Sequence, residues 1–196
     1  MKTNNKKLTS FIFIIGIILV ITSIVLVMFY FSIQNISENK RRDAINGIRE
    51  LIPEINNSVL ENKKNKDTAF VSINDIDFCG IIEVPSTKSE LPIYGYWDKK
   101  KLPDYPCRFS GSIYNSDLII GSSDRKGVFD FSDKLNIGDD ILITDVTGNR
   151  YTYLISDIKS SKSISKDHLS KLNFDFLIFI KNELSFDYTI ILCEFK

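Results

Sequence analysis

The sequence predicts an all-β domain, a closed barrel of about eight short strands, preceded by one transmembrane helix and a helical stalk. Three observations predict it. Residues 8–33 carry no charge. Residues 37–66 are charged but repeat apolar residues at helical spacing. From Phe78 onward, short β-rich runs alternate with turn residues, the pattern of an antiparallel or mixed barrel.

The apolar run reads LTSFIFIIGIILVITSIVLVMFYFSI. As a helix rising 1.5 Å per residue it reaches roughly 39 Å, against a hydrocarbon core of about 30 Å. A cleaved secretory signal has a shorter apolar region and ends on small residues. This run ends on Met28, Phe29, Tyr30 and Phe31, so an uncleaved anchor is expected. Charge alone does not orient it. Lys2, Lys6, Lys7 and the free amine stand on one side, and Lys40, Arg41 and Arg42 on the other, a near tie by the positive-inside rule.

In the stalk, Ile45, Ile48, Ile52, Ile55 and Val59 recur at steps of three and four, which lays one stripe along a helix. Pro53 is expected to kink or restart it. Two heptads with an internal proline suit a helix packed on its own domain or on the membrane better than a dimerising coil. Residues 61–67 read as a solvated linker. The expected organisation is a tail at 1–7, a transmembrane helix at 8–33, a stalk and linker at 34–77, and the barrel at 78–196. On this division a chain starting near Asp67 folds without the stalk.

The chain has 25 basic and 25 acidic residues. Three lysines precede the apolar run, which leaves 22 basic residues against 25 acidic. A formal net of −3 is no footprint for nucleic acid. Cys79, Cys107 and Cys193 have no CxxC spacing, and His168 is the single histidine. A zinc site is therefore not expected, and no cofactor is implied.

Within the barrel, strands are expected at 80–84, 91–94, 117–121, 140–145, 151–158, 174–180 and 188–193. Residues 146–149, VTGN, mark a hairpin. The polar stretch 160–171 is expected to include a helical turn.

These strands carry a resemblance. GIIEVP at 80–85, LPIY at 91–94, YPCRFSGS at 105–112, DLIIG at 117–121 and LNIGD at 135–139 resemble, in that order, the strands of a sortase domain. The resemblance covers about residues 80–193. It implies an eight-stranded barrel outside a Gram-positive membrane, and so an N-terminus inside, in the cytoplasm. Sortases cut a sorting signal through a Cys acyl-enzyme and pass the peptide to an amine. That chemistry needs a thiolate, a His to protonate the leaving amine and an Arg to steady the oxyanion.

The sortase His follows the strand that resembles 117–121, where this chain reads GSS at 121–123. Its position holds Ser123, which does not exchange protons near neutral pH as imidazole does. Two placements compete for the Cys. One takes Cys193 as the nucleophile; only three residues then follow it, with no chain for a last strand or its Arg. The other makes 174–180 the penultimate strand and 188–193 the last. It closes the barrel, leaves no open edge, and puts Lys181 at the Cys position and Tyr188 at the Arg position. The second placement is preferred. It implies an accessory or binding module with no catalytic residue at the family positions, its partners being the lipid bilayer and a peptide, cell-wall component or other envelope protein. The first implies an active cysteine transpeptidase.

Other residues have rival readings. His168 sits in a polar turn. Cys107 and Cys193 are candidates for a disulfide on an oxidising side. Lys181 as a nucleophile would need a dry pocket. Asp139 and Asp140 read as a solvated charge pair or a cation site. Trp97, with Tyr94 and Tyr96, lines a groove or caps the barrel.

Overall fold

The computed structural model describes residues 3–52, 54–57 and 67–196. Pro53, Val59 and most of the expected linker lie outside the described residues. Contacts divide the chain into two units, Met1–Asn39 and Lys40–Lys196. The first is the N-terminal part of one long helix, α1 (Thr3–Leu51). This helix is long and apolar enough to cross a membrane. Between Phe11 and Ile36 its large apolar side chains are exposed.

Among the described residues the second unit holds ten strands: β1 (Asn56–Asn57), β2 (Val71–Ile73), β3 (Ile76–Val84), β4 (Ser89–Tyr94), β5 (Cys107–Ser110), β6 (Leu118–Ser123), β7 (Asp140–Asp145), β8 (Asn149–Ser161), β9 (Phe176–Lys181) and β10 (Tyr188–Phe195). A one-turn helix, α2 (Lys166–Leu169), precedes β9. Eight of the strands form a closed ring in the order β3-β4-β5-β6-β9-β10-β8-β7, with β7 returning to β3. Its neighbours are antiparallel except β4–β5 and β6–β9. The short β1 and β2 pair with β8 and β3.

Alternation along the strands separates two apolar layers. Ile120, Phe176, Ile178, Ile180, Ile191 and Cys193 belong to the main core, with Phe129, Ile141, Tyr153 and others. Their strand neighbours Ile119, Leu177, Phe179, Ile190 and Leu192 form a second cluster, covered by Leu169 of α2 and by Trp97, Phe109 and Ile164. A third cluster lies elsewhere on the barrel. There Ala44 and Ile48 of α1 pack with Phe78, Ile81 and Tyr105, and Ile45, Ile52, Val71 and Ile73 border them.

The stripe of isoleucines is thus a docking face in its first three members. Ile55 is exposed. The independence of the stalk expected from sequence is not what this packing supports, because Ile48 is fully buried in the unit that begins at Lys40. Ile48→Ala is expected to cost about 2–5 kcal/mol, the range for a large side chain removed from a core. Thermal melts of the two proteins check this, and an unchanged melting temperature would show that the helix is undocked in solution.

Candidate functional site

The register of three strands builds the site. In the parallel β6–β9 pair, Ser123 stands opposite Lys181. In the antiparallel β9–β10 pair, Lys181 stands opposite Tyr188. The three positions singled out from sequence therefore lie in one row across adjacent strands, which are about 4.8 Å apart. They share a cavity of about 450 Å³. Phe109, Phe179 and Trp97 form its aromatic wall, and Leu102, Pro103 and Ile164 border it. Lys99 and Glu183 add one charge of each sign beside Lys181.

Residue alternation explains why these side chains share a face. Phe179 and Lys181 are two apart on β9, and the intervening Ile180 belongs to the main core. On β10, Tyr188, Ile190 and Leu192 follow the outer cluster. Gly121 lets the aromatic wall reach the sheet. An added Cβ there would lie 2.5 Å from ring carbons of both Phe179 and Trp97. The rings then lock edge to face, with Trp97 and Phe109 centroids 4.8 Å apart and Phe109 and Phe179 5.2 Å apart. Such pairs favour one arrangement over a loose apolar patch.

Ser123 is buried, and its hydroxyl donates to the Leu102 carbonyl at 3.0 Å. It ties the loop between β4 and β5 to the end of β6. The strand ends are tied as well. The Asp124 amide donates to the Lys181 carbonyl at 3.1 Å, and an Asp124 carboxylate oxygen accepts from the Glu183 amide at 3.0 Å.

Cys193 lies elsewhere. It is five residues along β10 from Tyr188, so alternation turns it to the other face of the sheet. There it is fully buried in the main core, and burial pushes its thiol far up from the usual range. Cys107 is also buried, and desolvation raises its thiol to about 12. Cys79 is raised to about 12 for the same reason. All three thiols are free, including the candidate pair Cys107 and Cys193.

The remaining sequence candidates stand apart from the cavity. His168 is exposed in α2, and its backbone amide is capped by the Ser165 hydroxyl at 3.2 Å. Asp139 accepts from the Asn136 amide and the Ser86 hydroxyl, and Asp140 pairs with Lys196 at 3.1 Å. Of the three aromatics near residue 95, only Trp97 lines the cavity; Tyr96 stacks on Phe70 with centroids 5.1 Å apart. Sequence reading missed Phe109, Phe179 and Leu102. The alternation of 174–180 shows which side of its strand Phe179 takes, but not what faces it. Among the described residues no group of three His, Cys, Asp or Glu side chains is placed to hold a metal ion.

No protein-family model and no curated protein matches the chain. Solved structures do. Clostridium perfringens sortase C, determined with the C-terminal cell wall sorting motif, is 19% identical with a TM-score of 0.53, over 79% of this chain and 88% of that one. Clostridium perfringens sortase D5 transpeptidase is 20% identical with a TM-score of 0.52, over 61% and 79%. Listeria monocytogenes sortase A is 15% identical with a TM-score of 0.53, over 61% and 87%. The barrel carried by this chain has the sortase fold.

Proposed function

We propose that this chain is a membrane-anchored, envelope-facing sortase-like protein that binds a peptide and does not cut it. The observation that carries the reading is the row Ser123, Lys181 and Tyr188 along one cavity. By the resemblance, these are the His, Cys and Arg positions. The row offers a hydroxyl, an ammonium and a phenol where acyl transfer needs an imidazole, a thiolate and a guanidinium. Loss of one member of a nucleophile–base pair can cost about 10⁶ in rate, and loss of an oxyanion donor roughly 10² to 10³. The aromatic wall and the cavity remain, and both suit an apolar side chain of a bound peptide. The apolar helix supports a bilayer anchor, and the sortase resemblance implies its orientation, with the N-terminus in the cytoplasm and the barrel outside. The bound peptide then belongs to a cell-wall component or another envelope protein.

Trp97 is the single tryptophan of the chain and lines the cavity, so its emission reports occupancy. The full chain in detergent micelles is titrated with sorting-signal peptides, and the peptides are then weighed by mass spectrometry. The expected result is a saturable change in Trp97 emission with every peptide intact. Tyr188→Ala is expected to weaken binding about tenfold, as loss of an interface tyrosine does. Cleaved peptide, or no response of Trp97 to any peptide, would overturn the proposal.

A further inference from the structure

We infer that Arg41, on the segment of α1 that packs against the barrel, is a positioning residue for the cavity: it bridges the two loops that the Ser123 hydroxyl joins. The inference rests on the cavity being the binding site, but its readout needs no ligand.

Arg41 is only 6% exposed, unusual for a guanidinium, which is rarely buried without partners. Two backbone segments meet it. Its Nη1 donates to the Asp104 carbonyl at 3.4 Å. Its Nη2 lies against Gly127, where an added Cβ would come within 2.3 Å. Gly127 has φ +77°, a left-handed conformation that a side chain would strain in any case.

Each segment leads directly to the cavity. Asp104 follows Leu102 and Pro103, which line it. This loop is a compact turn closed by the Asp104 and Tyr105 amides, both donating to the Lys101 carbonyl at 2.9 Å. Gly127 follows Ser123 on the next loop. That loop folds back through the Val128 amide, which donates to the Arg125 carbonyl at 2.9 Å, and the Phe129 amide, which donates to the Ser123 carbonyl at 3.2 Å. Ser123 then closes the circuit with its bond to Leu102. A planar guanidinium with five donors can serve two backbone segments at once. The helix next to the apolar span thus holds the loop that carries Trp97, and displacing it releases that wall.

The test reads Trp97 in the full chain in detergent micelles, below the melting transition. Arg41→Met removes the donors and keeps the stem. Loss of a charge-assisted hydrogen bond is expected to move the loop about tenfold toward an open form, seen as a red shift of Trp97 and stronger quenching by acrylamide. Arg41→Gln, which keeps one amide donor on a shorter stem, is expected to shift the spectrum the same way, and it carries the test if Arg41→Met fails to fold. Arg41→Lys is expected to restore part of the wild-type spectrum. Ile48→Ala lies on the same helix and packs with Tyr105 at the end of the first loop, so it is expected to lower stability and to shift the folded spectrum less than Arg41→Met does. The inference is overturned if folded Arg41→Met and Arg41→Gln quench as wild type does, or if Ile48→Ala shifts Trp97 as far as they do. Failure of peptide binding would sink the proposed function and leave this result standing.

Discussion

Cys193 is expected to stay unlabelled when the folded protein is exposed to a thiol-reactive mimic of a sorting signal, and no acyl-enzyme is expected to accumulate. A thiol near 12, the value that burial imposes on Cys79 and Cys107, leaves about one part in 10⁵ as thiolate at neutral pH. Burial pushes Cys193 further still, and its face of the sheet is the barrel interior. No rotamer change carries a side chain from one face of a strand to the other. Cys193→Ala is expected to cost about 1 kcal/mol, as loss of a small buried group does, and to leave peptide binding intact. The converse change is larger. Ser123→His, Lys181→Cys and Tyr188→Arg, made together, place an imidazole, a thiol and a guanidinium in the row that borders the cavity. Slow peptide hydrolysis is expected from this triple variant and none from the single Lys181→Cys. A mass shift on Cys193 from the mimic, lost in Cys193→Ala, would instead make the chain an active transpeptidase.

Asp145→Ala is expected to be strongly destabilising although it lies away from the cavity. Asp145 ends β7 and is buried. One carboxylate oxygen accepts from the Thr147 amide at 2.8 Å, the Thr147 hydroxyl at 2.7 Å and the Asn149 amide at 2.9 Å. The other accepts from the Tyr114 hydroxyl at 2.8 Å and the Asn149 side chain at 3.1 Å. The carboxylate therefore holds the hairpin turn and pins Tyr114 to it. Removing it strands the buried Tyr114 hydroxyl and the half-buried Asn149 donors and frees the turn, at about 3 kcal/mol in total. For a domain of this size that is a fall of about 6–12 °C in melting temperature.

The same carboxylate makes stability depend on pH. Burial alone would raise its pKa, but the donors from Thr147, Asn149 and Tyr114 outweigh burial and hold it below the usual range. A carboxyl that binds its proton less readily when folded contributes fully above its unfolded pKa, about 3.9. That contribution is lost as pH falls through the lower folded value. Wild type is thus expected to lose stability below about pH 4 more steeply than Asp145→Ala. Melts from pH 7 down to pH 3 check both claims. Equal melting temperatures at pH 7, or parallel curves in acid, would refute them.

The run long and apolar enough to cross a membrane was legible from sequence because absence of charge over a bilayer's length is a local property. So were most strands: alternation and turn residues place 140–145 on the observed β7 and the hairpin at 146–149 at its junction with β8. The expected strand at 174–180 became β9, two residues later at its start and one at its end. Strands as short as β2 and β5 were missed, since three or four residues carry too little alternation to register.

The order of the motifs was enough to suggest the fold and to name Ser123, Lys181, Tyr188 and Cys193. What placed the first three together was non-local: the parallel pairing of β6 with β9, across more than fifty residues of chain, and its register. A register one residue different would turn Lys181 to the interior. Tertiary structure alone decided that Cys193 faces the core, that the stalk's isoleucines dock on Phe78, and that Arg41 meets Asp104 and Gly127. Periodicity says which residues share a face; only the packed barrel says what that face meets.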